Sequence, residues 1–498
     1  MRNKTVKGSL ALLTVLGLVL GSTYFFKQKD APFGTLKEYQ AQKIAWSTCN
    51  STFKCGVIKV PIDYSNVKLG NFKIAMMKYQ AIDQAHKLGS LVVNPGGPGG
   101  SGIEYVNSVD YIVSSDILTR YDIVGFDPRG IGASTSIHCL TDKETDASYA
   151  ADSKPDNARE LQTLLANSRK YIANCQTHTQ DIMHFGSAEV ARDMDLIRAA
   201  LGDKKLNYLG KSYGTYLGTL YAQFFPNHVG RMILDGAINP NITGAEQNLT
   251  QAIGFDHALN AFVADCFTQK DCPLLKPQSK AIAQIIATFH NAATKPLTSK
   301  QNRPVTESLV VLGTATALYD SSTGWPQLRI AFKESLKGDG SAFLELTDEY
   351  SQRNTNGTYG SNEADSAVVI DCLDWPDMRT VGQIQASAKN FSLKAPVFGP
   401  YLAYSALSCQ YFPHVSARTV HIATITTTPT LIIGTTRDPA TPYEWALGLH
   451  RIIQNSRLIS LNADGHTGQG RGSICVDSAV DRYLLTGALP AADLACSL

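Results

Sequence analysis

The chain has 498 residues, too many for one average domain and enough for a large core with an inserted or appended second domain. Hydrophobic residues make up 44 % of it, so a sizeable core is available, and 45 Lys and Arg against 43 Asp and Glu leave a net charge of +2. No block of like charge stands out, which argues against nucleic acid as a partner, because a basic stripe is needed to neutralise phosphates.

Residues 1–30 differ from the rest. Arg2, Lys4 and Lys7 precede an apolar run over 10–20, followed by Gly21, Ser22 and Thr23. A basic start, a short apolar stretch and small residues read as an export signal. The competing reading is an uncleaved anchor, since 8–26 is long enough to cross a bilayer. No Ala-x-Ala site and no lipid-accepting Cys settles the choice. Either way the protein is placed outside the cytoplasm, secreted or in the cell envelope, with membrane contact only through such an anchor. The ten cysteines agree, because exported chains keep disulfides and cytosolic ones rarely do. None forms a C-x-x-C pair, so neither a zinc ribbon nor a thioredoxin-like site is expected, and no metal. Counting does not fix their connectivity; spacing favours neighbours, Cys49–Cys55, Cys139–Cys175, Cys266–Cys272, Cys372–Cys409 and Cys475–Cys496.

Segments 56–63 and 72–80 read as a strand hairpin, β-branched and apolar residues bounded by Asn, Gly and Pro. A short apolar strand at 90–94 ends in a Gly-rich turn, and another follows at 121–127. Apolar spacing predicts a helix over 187–201, then a strand at 206–209, a helix over 213–225 and a strand at 231–234. This alternation implies a mostly parallel sheet with helices on both faces. It fades between 243 and 394, where helical stretches such as 255–267 and 279–293 dominate and suggest an inserted helical cap. It resumes with strands at 430–434 and 456–461 and a helix over 476–485. The core is therefore expected in two parts, 45–242 and 395–498.

Gly210-Lys211-Ser212-Tyr213-Gly214 is a G-x-S-x-G motif between a strand and a helix, the context in which such a serine sits on a strained turn above the sheet. This predicts an α/β-hydrolase fold with Ser212 as nucleophile. Serine needs a base, and the base an orienting acid. In this fold the acid and then the histidine follow the serine in the chain. Asp438 stands at the end of the strand at 430–434, and His466 lies in a Gly-flanked loop after the last strand. Asp464 is a rival acid but sits in the His loop itself. Acyl transfer also needs oxyanion donors. The N–H groups of Tyr213 and of Gly97, in the Gly-rich loop 94–102, are the candidates, with Gly96 next. That loop also satisfies G-x-G-x-x-G, with Asp122 downstream, a formal dinucleotide signature. It is set aside because an exported chain rarely meets that cofactor and the triad accounts for the loop; no cofactor is expected.

Together these residues resemble the tripeptidyl aminopeptidase branch of the prolyl aminopeptidase-like serine hydrolases. The resemblance rests on 94–102, 126–134, 210–218, Leu234-Asp235-Gly236, Asp371-Cys372-Leu373-Asp374, 438–442 and Gly465-His466, and covers nearly everything after residue 45. It implies the triad above, a helical cap, neighbour-paired cysteines, a tripeptidyl aminopeptidase-like C-terminal region and removal of short pieces or single residues from peptides with a free N-terminus. Pro95 stands where prolyl aminopeptidases carry histidine. The Asp127-Pro128-Arg129-Gly130 turn could bind substrate, but Asp127 and Arg129 are expected rather to fix loops beside the site through charged hydrogen bonds. Glu246, Asp371 and Asp374 are carboxylates that could meet a substrate ammonium, the alternative being that Asp371 and Asp374, which flank Cys372, anchor that loop. A secreted carboxylesterase or lipase with the same triad is the alternative, and a non-catalytic binding protein a third reading, disfavoured because nucleophile and base are both present.

Overall fold

The computed structural model describes residues 33–413, 420–426 and 428–498. The export-signal segment 1–30 and the anchor alternative at 8–26 lie outside them. Ten strands form a single sheet: β1 (Ser47–Thr48), β2 (Phe53–Pro61), β3 (Asn71–Tyr79), β4 (Gly89–Asn94), β5 (Tyr121–Phe126), β6 (Leu206–Lys211), β7 (Val229–Asp235), β8 (Thr430–Arg437), β9 (Ser456–Asp464) and β10 (Leu494–Ser497), in the order 1-2-3-5-4-6-7-8-9-10. The pairs β1/β2, β2/β3 and β3/β5 are antiparallel, and every later pair is parallel.

The central strands read as apolar runs because both of their faces are covered. Val92, Val124, Tyr208, Leu234 and Ile432 face one layer of helices. Their neighbours Leu91, Val93, Ile123, Leu209, Ile233, Leu431 and Ile433 face the other. Register brings the C-terminal ends of the strands level: Asn94 pairs with Gly210, Lys211 with Asp235, and Arg437 with Asp464. The residues singled out for chemistry follow these ends, where parallel sheets open their crevices.

Helices Gly244–Cys266, Gln278–Thr294, Glu307–Leu318, Gly324–Ser335 and Ser341–Ser351 gather around a separate apolar core built from Phe255, Phe262, Phe289, Phe332 and Phe343. Helix Glu363–Asp374 behaves differently: Val369, Ile370 and Leu373 pack with the sheet's own cluster. It is also tied down at its start. Asn362 Nδ2 donates to the carbonyls of Gly130 (2.8 Å) and Ile137 (2.9 Å), and Asp365 accepts the Cys139 N–H at 2.7 Å. The cysteines are bonded as Cys49–Cys55, Cys139–Cys175, Cys266–Cys272, Cys372–Cys409 and Cys475–Cys496. Among the described residues, no helix is long and apolar enough to cross a membrane.

Arg129 is fully buried and grips Asp193 of helix Ser187–Leu201 through Nε and Nη2, both at 2.7 Å. Its remaining donors reach the carbonyls of Pro61, Ile62 and His184. Every guanidinium nitrogen is thus satisfied, which a buried charge requires. Asp193→Ala would leave that charge unpaired and is expected to destabilise the fold by about 3–5 kcal/mol in a denaturant titration.

Candidate active site

The turn after β6 is set by glycines. A Cβ on Gly210 would lie 2.5 Å from the Gly214 carbonyl oxygen, and one on Gly214 would lie 2.6 Å from Asn94 Oδ1. Ser212 between them takes φ 54° and ψ −127°, a conformation that non-glycine residues rarely occupy and that is found where function holds it. Its N–H donates to the Asp235 carbonyl at 2.8 Å, and it stands at the N-terminus of helix Tyr213–Phe224.

His466 Nδ1 lies 2.9 Å from both carboxylate oxygens of Asp438. The Asp438 carboxylate is fully buried and also accepts from the backbone N–H groups of Ala440 (2.9 Å), Thr441 (2.8 Å) and Thr467 (3.1 Å). These backbone donors and the Thr441 hydroxyl, at 3.0 Å, fix the carboxylate in place with its oxygens turned to the imidazole. That holds the imidazole with Nδ1 protonated and Nε2 free to take a proton. Asp464 is turned elsewhere: it accepts from Arg437 Nε at 2.6 Å. From the cap, the Tyr319 carbonyl accepts the His466 N–H at 2.8 Å, and the two rings meet edge to face at 5.2 Å.

The loop after β4 presses against the serine turn. Asn94 Oδ1 accepts the Gly96 N–H at 3.0 Å, and Gly96 (φ +110°) approaches so closely that a Cβ there would sit 2.8 Å from Ser212 Cβ and 3.2 Å from Tyr213 N. Gly97 lines the cleft with Ser212 and Tyr213. Asp127 holds this loop from below, accepting from Ser101 Oγ (2.6 Å), Ile103 N (3.1 Å) and Ala133 N (2.8 Å).

Asp235 had no role assigned from sequence. It is fully buried at the end of β7 and accepts the N–H groups of Gly468 (2.8 Å) and Gln469 (2.9 Å), in the loop that carries His466. Lys211, beside the serine, donates to the Gln469 carbonyl at 2.7 Å and lies 3.9 Å from Asp235. The serine turn and the histidine loop are therefore braced through one buried ion pair. A charged residue closing an apolar strand was the available signal.

The cleft above Ser212 has a volume of about 340 Å³ and is walled by Tyr319, Tyr350, Trp375, Trp445 and helix Glu363–Asp374. Of the three carboxylates expected to face a substrate amine, Asp371 alone lines it. Its surface opens into the cleft, yet the surrounding walls strip enough water to push its carboxyl up to about 7. Glu246 points away. It closes a capping box with Thr243 at the start of helix Gly244–Cys266, accepting the Thr243 N–H at 2.8 Å, on the exposed face. Asp374 is a buried brace: it accepts the Ser187 N–H at 2.9 Å, and its second oxygen joins Ser187 Oγ, which in turn meets the Tyr213 hydroxyl. Glu363, not foreseen from sequence, lines the cleft as well. It stands eight residues before Asp371, roughly two turns along one side of the helix. Burial, and then repulsion from Glu104, push its carboxyl up to about 7.

The family model described as alpha/beta hydrolase fold matches residues 89–472. The chain is 33 % identical to serine protease Hip1 of Mycobacterium tuberculosis over 483 residues, covering 91 % of each chain. It is 34 % identical to carboxylesterase B of the same organism, covering 92 % of this chain and 90 % of that one. It is 30 % identical to tripeptidyl aminopeptidase of Streptomyces lividans, covering 91 % and 86 %. The strand order, the glycine-framed serine turn and these matches lead to one conclusion: the chain belongs to the α/β hydrolase family and is a serine hydrolase.

Proposed function

We propose that this serine hydrolase is an exported aminopeptidase that releases short N-terminal peptides or single residues. The observation that carries the reading is the pair Glu363 and Asp371, two carboxylates on one side of a helix facing the serine turn across a walled cleft. In this mechanism Ser212 Oγ attacks the scissile carbonyl while His466 Nε2 takes its proton. Asp438 steadies the imidazolium, and the N–H groups of Tyr213 and Gly97 receive the oxyanion. His466 then returns the proton to the departing amine, leaving an acyl-enzyme that water cleaves by the same route reversed. The substrate ammonium pairs with Glu363 and Asp371. Five disulfides support export, since they persist in oxidising compartments.

A charge-assisted hydrogen bond to the ammonium contributes about 1.5–3 kcal/mol, roughly 10- to 150-fold. Acetylating the N-terminus of a cleaved peptide is therefore expected to lower kcat/KM at least about tenfold, and Glu363→Gln with Asp371→Asn should remove most of that discrimination. Equal rates on free and acetylated peptides would falsify the reading. The discrimination also depends on pH with a definite sign. Both carboxyls lose their protons near 7, so preference for a free N-terminus should rise from pH 5.5 towards neutrality. It should fall again above about 8, where a peptide α-amino group loses its charge. Aromatic walls and the carboxylesterase B relative keep an esterase in view; faster turnover of short-chain esters than of any peptide would favour it.

A further inference from the structure

A second cavity, about 410 Å³, lies between helices Asp142–Ala150, Ala158–His178 and Glu363–Asp374. It is separate from the cleft over Ser212, yet the two share Tyr149 and Ala364 as walls. We propose that this cavity is the subsite for the apolar side chain of the substrate's N-terminal residue, entered past Ala364 and Tyr149. The inference rests on the aminopeptidase reading and gives it a preference that the reading does not contain.

Three observations carry it. The first is continuity: Ala364 directly follows Glu363, so the helix position proposed to meet the ammonium adjoins the one that opens onto the second cavity. The partition between the two spaces is made by the Ala364 methyl and the Tyr149 ring. The second is chemistry. The interior is mainly apolar, with Leu140, Leu164, Ala147 and Val368 among its walls. Of its charged groups, Lys170 and Glu144 pair with each other at 3.2 Å, and Asp152 accepts the Lys154 N–H at 2.8 Å. The third is rigidity. Tyr171 Oη donates to the Ala364 carbonyl at 2.9 Å, fixing the backbone of the partition, and Tyr149 stacks on Tyr359 with ring centroids 6.1 Å apart. A neutral, branched or aromatic side chain is the occupant such a space recognises.

The test is a peptide series with free N-termini that differs only in the first residue, Gly, Ala, Leu or Phe. It is assayed on the parent and on Val368→Phe and Ser168→Leu, which fill the second cavity from opposite walls without lining the cleft. The parent is expected to favour Leu over Gly by at least about tenfold in kcat/KM, as apolar pockets do. Each variant should bring that ratio to below about threefold. A parent ratio near one overturns the proposal. So does a ratio unchanged in both variants, or Leu and Gly peptides slowing together. Fluorophosphonate labelling reports whether each variant is folded. Independently of them, a peptide with photo-leucine at its N-terminus, bound to Ser212→Ala, should cross-link to segment 140–171; adducts confined to the opposite wall, at Gln251 or Trp445, would contradict it. Acetylated controls separate the two claims. Indifference to acetylation in the parent removes the aminopeptidase reading itself, whereas a retained free-amine preference with no Leu-to-Gly effect removes the subsite alone.

Discussion

Ser212→Ala is expected to lower kcat by about 10⁶-fold while leaving the fold intact. The loss is that large because proton abstraction and acyl transfer both act on the Ser212 oxygen, and without its attack no oxyanion forms for the N–H donors to receive. Stability should hold within about 0.5 kcal/mol. The contacts that fix the turn are backbone ones, the Ser212 N–H to the Asp235 carbonyl and the close approach of Gly96, and alanine keeps both. A fluorophosphonate probe read by peptide mapping should label Ser212 in the parent and nothing in the variant. Labelling at any other serine would displace the assignment.

Asp438→Asn should cost about 10⁴-fold in kcat, the scale on which a triad fails when its imidazole is held in the wrong tautomer. The carboxylate accepts from Ala440, Thr441 and Thr467 N–H groups as well as from His466 Nδ1. An amide supplies one acceptor oxygen where two were used and turns its own N–H donors towards other donors. The imidazole then loses its Nδ1 acceptor, and the best remaining arrangement protonates Nε2, which can no longer take the proton of Ser212. Asp464→Asn is the control. It disturbs only the half-exposed pair with Arg437, so it should change kcat by less than about threefold, as expected where an exposed ion pair contributes under about 1 kcal/mol. Equal losses in the two variants would mean that the acid has been misassigned.

Much of this was legible because the chemistry sits where local pattern is strongest. Each triad residue follows an apolar strand, and those strands end within a few residues of where their composition places them. Helix Ser187–Leu201 carries its apolar stripe in an unbroken period and begins and ends as expected. Helix Ala158–His178 escaped notice because it buries only Leu161, Ser168, Ile172 and Cys175 along 21 residues, too thin a stripe to stand out among polar neighbours. β10 is four residues, and only Cys496 is buried. The carboxylates show the sharper lesson. Thr243 and Glu246 stand three apart before an apolar helix, the spacing of a capping box, and that local rule already assigned Glu246 to the backbone. Glu363 had no such tag. Its place depends on Asn362 and Asp365 binding loops more than two hundred residues earlier in the chain, a relation that no window of sequence contains. Asp193 was hidden for the same reason, its partner Arg129 lying across the fold.

Helix Glu363–Asp374 has one more consequence. It lies in sequence among the cap helices, but it is fastened at one end by Asn362 and Asp365, at the other by Asp374, and through Val369, Ile370 and Leu373 to the sheet. On the proposed aminopeptidase reading, its carboxylates would be the stop on a ruler measured from Ser212, bolted to the same frame as the blade. The remaining cap helices have their own core and reach that frame at points such as Tyr319 on His466 and Gln251 on the Ala440 carbonyl. Exchanging them between relatives with Tyr319 kept should change which peptides gain entry and how fast, and leave the cut at the same distance from the N-terminus.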